Sequence, residues 1–287
     1  IQLYTPYRGL LLYHGLGSGK TCSSIAILEG LKDHKKVFIL TPASLEKNYK
    51  TQLKECGDLM YRINQHWKKT TIDIKDKEKV DEMAKLLSVN TKVIKKMNGA
   101  WFSDSTKEPN FNSLSSLEKK EIDNQISEIL DSKYTFLHYN GLRNRHIDKY
   151  TNNRIKNMFD DSVVIIDEAH NFISRIVNKL GRSKKNKEKN CNKIEEEFIA
   201  LQLYEYLLCA QNCRIVLLTG TPMINYPNEL GVAFNILRGY IKTWEYKLIT
   251  SGSLTEENIK EYLGEIGTVD YINYNSNSST LTITKNP

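Results

Sequence analysis

The chain has 287 residues, with 41 Lys and Arg against 34 Asp and Glu for a formal charge of +7, and is 40% hydrophobic and 26% charged. That length exceeds a small stapled module, and the composition excludes wholesale disorder. No apolar run approaches the ~18 residues of a membrane-spanning helix, so no membrane association is expected.

The sequence opens at Ile1 without a Met and without a basic-then-apolar leader, so it reads as a fragment. Its first expected strand, 9–13, runs into His-Gly-Leu-Gly-Ser-Gly-Lys-Thr and then a helix over 20–31. Glycines let a loop wrap phosphates with its N–H groups inward, and the helix start adds the positive end of a dipole. Gly15, Leu16, Gly17, Ser18, Gly19, Lys20 and Thr21 are therefore the candidate ATP-binding loop. Lys20 suits the β- and γ-phosphates, and Thr21 suits Mg²⁺. His14 stands where the eight-residue phosphate-loop pattern has Gly, so the match is to the shorter GxGKT form.

A second strand, 37–41, ends at Thr41, Pro42 and Ala43, whose backbone amides and hydroxyl are candidate nucleic-acid phosphate contacts. Ser44 is the expected cap of a helix reaching Cys56. Residues 57–132 read as a polar, helix-rich insertion, with Trp67 more suited to packing than to stacking a base. Within it, Leu117, Ile122, Ile126 and Leu130 make one helical stripe, capped by Ser115 or Ser116. The third strand is expected at 134–138.

The fourth strand, 163–167, is apolar until Asp167, Glu168, Ala169 and His170. A doubly wound sheet binds its ligand at that carboxyl end, where Asp167 can hold Mg²⁺ and Glu168 can take a proton from attacking water. A second insertion, 179–193, carries seven Lys and Arg against one Glu; it is either a solvated loop or a phosphate contact. A helix over 194–210 leads to a fifth strand, 214–219, ending in Thr219-Gly220-Thr221-Pro222. With His170, residues Thr219, Gly220 and Thr221 form the candidate coupling segment between nucleotide and nucleic acid. The tail, 269–285, reads as a hairpin. Cys22, Cys56, Cys191, Cys209 and Cys213 are odd in number and lack zinc-type pairs, which predicts buried thiols in an intracellular, reducing compartment.

Buried strands alternating with helices predict an α/β fold, a mostly parallel, doubly wound sheet with helical insertions. The motifs GLGSGKT, LTPAS, VVIIDEAH and LLTGTP fall in an order that resembles the first motor lobe of superfamily 2 helicases and translocases. TGTPMINYPNELGVAFNILRGY is similar to the Swi/Snf-type branch. TPYRGLLLYHGLGSGKT and NILRGYIKTWEY resemble the ATPases of large DNA viruses, among them the poxvirus nucleoside triphosphatase I and early transcription factor families.

The resemblance implies a RecA-like phosphate-loop lobe over 1–245 and a C-terminal extension over 246–287. It implies Mg·ATP as cofactor, with Lys20, Asp167 and Glu168 catalytic. It also implies DNA, duplex rather than RNA, as partner, alongside RNA polymerase or transcription factors in a virion or cytoplasmic virus factory. An RNA helicase and a non-catalytic module recruiting transcription machinery are the alternatives. The family's second lobe, with its arginine finger, has no counterpart in the sequence. Gln2 lies too near the start to assign to adenine recognition.

Overall fold

In the computed structural model, which describes residues 8–15, 17–180, 198–249, 255–264 and 271–285, the five apolar runs become one sheet. β1 (Gly9–Tyr13) leads through the glycine loop into α1 (Lys20–Glu29), and β2 (Lys36–Leu40) leads into α2 (Glu46–Cys56). The polar stretch that follows folds as β3 (His66–Thr71), α3 (Lys77–Leu87), α4 (Thr91–Met97) and β4 (Gly99–Asp104). Next come α5 (Ser116–Lys133), β5 (Tyr134–Leu137) and α6 (Asn144–Thr151). β6 (Ser162–Ile166), α7 (Ala169–Leu180), α8 (Ile199–Cys209), β7 (Arg214–Thr219) and α9 (Asn228–Arg238) follow.

The sheet order is β1-β7-β6-β2-β5, and every neighbouring pair is parallel. Side chains alternate across a strand, so each buried strand feeds two cores. Val37, Ile39, Val163, Ile165, Val216 and Leu218 pack with Ile25 and Leu28 of α1, Leu53 of α2 and Ile126 of α5. Phe38, Leu40, Val164, Ile166, Ile215 and Leu217 pack with Phe172 of α7, Leu207 of α8 and Ile236 of α9. Helices thus cover both faces, as a doubly wound sheet requires. At Gly9 a Cβ would stand 2.4 Å from the Leu237 carbonyl oxygen, so the missing side chain lets α9 lie directly on β1.

Several local expectations change. The stretch 57–132 is not purely helical: β3 and β4 pair as an antiparallel hairpin. Its Val80, Ile94 and Trp101 join the core on the α1 side, so the stretch extends that layer. Trp67 is buried, and its indole N–H donates to the Ile63 carbonyl at 2.8 Å, which makes it a packing residue. Ser115 caps α5 with a full capping box to Glu118. Leu117 is 69% exposed, so the buried stripe begins at Ile122. Ser44 does not cap α2; Leu45 takes that place without a side-chain bond. Residues 194–197, expected in a helix, lie outside the described residues.

The C-terminal part holds β8 (Lys242–Lys247), α10 (Glu256–Gly264), β9 (Tyr271–Asn275) and β10 (Thr280–Lys285). The expected hairpin is present as β9 and β10, and β8 adds to its other side in the order β8-β10-β9. β8 straddles residue 245, the expected division. Ile259 of α10 closes a small separate core on Ile272 and Leu281. The expectation of free thiols fails: Cys22 on α1 and Cys56 at the end of α2 form a disulfide, their Cα atoms 5.6 Å apart, and Cys209 is disulfide-bonded as well. Cys213 is free and buried. Among the described residues no helix is long and apolar enough to cross a membrane.

Candidate nucleotide site at the carboxyl edge of the sheet

The sheet order places three expected motifs side by side. β1 delivers the glycine loop, β6 delivers Asp167 and Glu168, and β7, between them, delivers Thr219. Gly17 and Gly19 take φ of 75° and 79°, a left-handed backbone that disfavours other residues. Gly19 starts α1, which has no side-chain cap and no acidic residue in its first turn. The first N–H groups of α1 therefore remain for an anion, with the helix dipole behind them. Lys20 Nζ arches back to donate to the carbonyls of His14 and Gly15, both at 2.9 Å. The Ser18 hydroxyl donates to Gly15 O at 2.7 Å and tightens the same loop. Leu16 lies outside the described residues.

Asp167 leaves β6 with its amide bonded to Leu40 O at 2.8 Å, and its carboxylate accepts the Glu168 amide at 3.0 Å. Burial pushes the Asp167 carboxyl up to about 6, with the Glu168 charge adding to the rise and the Glu168 amide and Lys20 opposing it. A group so placed favours a cation that would share its charge. Glu168 sits at φ 46°, a left-handed conformation uncommon for a residue with a side chain. The Tyr139 hydroxyl braces this bend from below, donating to Asp167 O at 3.5 Å and Glu168 O at 3.4 Å.

The candidate coupling residues lie in contact. His170 Nδ1 lies 2.9 Å from Thr219 Oγ1 and 3.4 Å from Glu168 Oε2. Thr219 Oγ1 also accepts the Thr221 amide at 3.0 Å. A Cβ at Gly220 would stand 3.4 Å from His14 O and 3.5 Å from Lys20 Nζ, so this loop lies against the glycine loop. The uncapped helix start, a lysine over the loop and a half-buried carboxylate opposite fit a magnesium–nucleotide complex. Lys20 with the loop amides would hold its phosphates, and Thr21 with Asp167 would hold its metal.

The nucleic-acid segment needs correction. Thr41 is fully buried, and its amide donates to Leu137 O at 3.1 Å. Pro42 has no N–H, so only Ala43 and Ser44 remain to offer exposed amides. Beside them, because β5 neighbours β2, lies a loop that sequence reasoning passed over. It exposes Arg143 at its end and leads into α6, whose first turn exposes Arg145, and its Asn140 accepts a bond from Arg175 of α7. Its signal was legible as HYNGLRNRH at the carboxyl end of a parallel strand. Of the basic segment 179–193, Lys179 and Leu180 alone are described; Lys179 sits 4.5 Å from the Phe198 ring centre.

A glycine loop, an Asp-Glu strand end and an intervening threonine define the nucleotide-binding lobe of a helicase-type phosphate-loop ATPase. The chain belongs to the family described as "Type III restriction enzyme, res subunit", whose model matches residues 4–224. It is related to helicases and transcription ATPases of large DNA viruses. "Putative ATP-dependent RNA helicase R563" of Acanthamoeba polyphaga mimivirus is 29% identical over 81% of this chain and 30% of its own length. "Termination factor NPH-I homolog" of African swine fever virus is 26% identical over 82% of this chain and 23% of its own. The chain thus spans less than a third of either relative. A solved SWI2/SNF2 ATPase core from Sulfolobus solfataricus, in complex with dsDNA, aligns over 83% of this chain and 38% of its own. Its TM-score is 0.35 at 15% identity, too distant to inform the site.

Proposed function

We propose that this lobe binds and hydrolyses Mg·ATP and couples turnover to movement along duplex DNA during viral transcription. The observation that carries the reading is the convergence of Lys20, Asp167 and Thr219 at the ends of β1, β6 and the strand between them. Mg·ATP supplies the phosphoanhydride and the cation that withdraws charge from its terminal phosphoryl group. Lys20 would hold that group, Thr21 and Asp167 would hold the metal, and Glu168 would take the proton of attacking water. The His170–Thr219 bond would carry the state of the site to the loop beyond. The amides of Ala43 and Ser44, with Arg143 and Arg145, would grip a phosphate backbone.

A transcription role, with RNA polymerase or its factors as partners in a virion or cytoplasmic factory, draws support from the swine fever virus relative, described as a termination factor. An RNA helicase is the second reading, favoured by the description of the mimivirus relative. Equilibrium binding of a fluorescent ATP analogue with Mg²⁺ tests the site. Lys20→Ala should weaken binding at least tenfold with an unchanged melting temperature, and Glu168→Gln should keep binding. Unaltered affinity in Lys20→Ala would reject the phosphate-loop assignment. Competition between duplex DNA and duplex RNA for the chain separates the two readings.

A further inference from the structure

Beyond the His170–Thr219 contact, α7 meets the Thr-Gly-Thr-Pro loop at a second place. Ser174 lies one turn along α7 from His170, on the same side of the helix. Its Oγ accepts the Asn225 side-chain N–H at 2.9 Å. Asn225 and its neighbour Ile224 also donate their backbone amides to Glu229 Oε2, at 3.1 and 2.7 Å. A longer 3.4 Å bond joins Asn225 Nδ2 to Glu229 Oε1.

Glu229 is the second residue of α9, where an acidic residue commonly faces water and complements the helix dipole. Here it is 1% exposed. Burial alone would push its carboxyl up. The amides of Ile224 and Asn225, the Ser174 hydroxyl and the Asn225 side chain outweigh that and hold it below the usual range. The carboxylate is thus a hub that ties the loop tip to α7 on one side and α9 on the other. The tip it holds displays Met223, Ile224 and Tyr226, each about half exposed.

We propose that Ser174, Asn225 and Glu229 form an outer latch, parallel to the His170–Thr219 contact, that makes the loop tip move with α7 when the nucleotide site changes state. The proposal rests on Mg·ATP binding at Lys20 and Asp167. His170 contacts both Glu168 and Thr219, so a shift at the base of α7 reaches the loop's root directly. Without the outer link, the six residues from Pro222 to Pro227 would be free to absorb that shift. With it, helix and tip are joined at two points one turn apart and cannot move separately. These are positioning residues; none of them lies at the nucleotide site.

The test is amide hydrogen exchange at Ile224 and Asn225 in this chain, with and without saturating Mg·ATP, alongside a direct affinity measurement. The comparison is Ser174→Ala with Asn225→Ala, which leaves Glu229 its two backbone donors and alters no fully buried side chain. Wild type should show at least a tenfold change in exchange at the two amides on binding, and the double variant less than twofold at unchanged affinity. A merely structural role would raise exchange in the variant yet leave the response to Mg·ATP intact. That result, or a wild-type tip that ignores bound Mg·ATP, overturns the latch alone. Failure of wild type to bind Mg·ATP overturns the functional reading and the latch with it.

Discussion

Asp167→Asn should stabilise the chain while removing its metal-dependent nucleotide binding. Burial, with the Glu168 charge adding to it, holds the Asp167 carboxyl up at about 6 instead of the ordinary 3.8. That difference corresponds to about 3 kcal/mol against the ionised form. The group is only partly buried, so water screening leaves about 1–3 kcal/mol as the expected effect. An amide keeps the oxygen that accepts the Glu168 amide at 3.0 Å, so no bond is lost. The sign follows from linkage: a carboxyl raised in the fold costs nothing below pH 4, where both states are protonated. It costs progressively more as pH rises from about 4 to about 6, and the full amount above. The assay is thermal unfolding of both proteins without metal from pH 4 to 8. Their melting temperatures should coincide at the acid end and part by about 2–4 °C per kcal/mol at pH 7.5, with the variant higher. Mg·ATP should then raise the wild-type melting temperature and leave the variant where it is. A variant that melts at or below wild type at pH 7.5, or a gap that ignores pH, would refute the argument that Asp167 is held in a strained ionic state for a cation.

Thr219→Val keeps the volume of a buried side chain but strips the hydroxyl that joins His170 to the Thr221 amide. It should cost about 1–3 kcal/mol in denaturant unfolding and leave Mg·ATP affinity within twofold; an unperturbed stability would show that the contact bears no load. The Cys22–Cys56 bond closes a 34-residue separation, so reduction should lower stability by about 3–4 kcal/mol. Mass spectrometry of the unreduced, digested chain showing both residues as free thiols would remove the bond.

The central strands were legible because burial on both faces demands apolar residues throughout, and runs such as VVII and IVLL have few other uses. β3 was hidden for the opposite reason. His-Trp-Lys-Lys-Thr-Thr is polar, and it becomes a strand because β4 pairs with it and Lys69 lies over the Trp101 ring while bonding Glu121. The glycine loop and the Asp-Glu pair were legible as candidates, since phosphate and metal restrict which residues could serve, and the fold brings both to the same edge of the sheet. The Thr41 hydroxyl was misjudged because sequence does not say which atoms at a strand end face outward. Glu229 was invisible for a related reason: beside Asn228 it reads as an ordinary acidic helix start, and only the folded loop reveals that it is buried.

The strand order explains why a threonine, and neither Lys20 nor Asp167, stands at the centre of this candidate site. Strands in a sheet lie about 4.8 Å apart, so β1 and β6, separated by β7, are about 10 Å apart. In the proposed reading that gap is where the phosphates and the metal would lie. Its floor is the end of β7, where Thr219 and Gly220 lie between Lys20 on one side and His170 on the other. Any ligand bridging Lys20 to Asp167 must therefore lie over these two residues. A change in its terminal phosphate would then be felt first by the Thr219 hydroxyl, already bonded to His170 of α7. In the proposed reading coupling needs no long pathway, because β7 is wedged between β1, whose loop would hold phosphate, and β6, whose end would hold the metal.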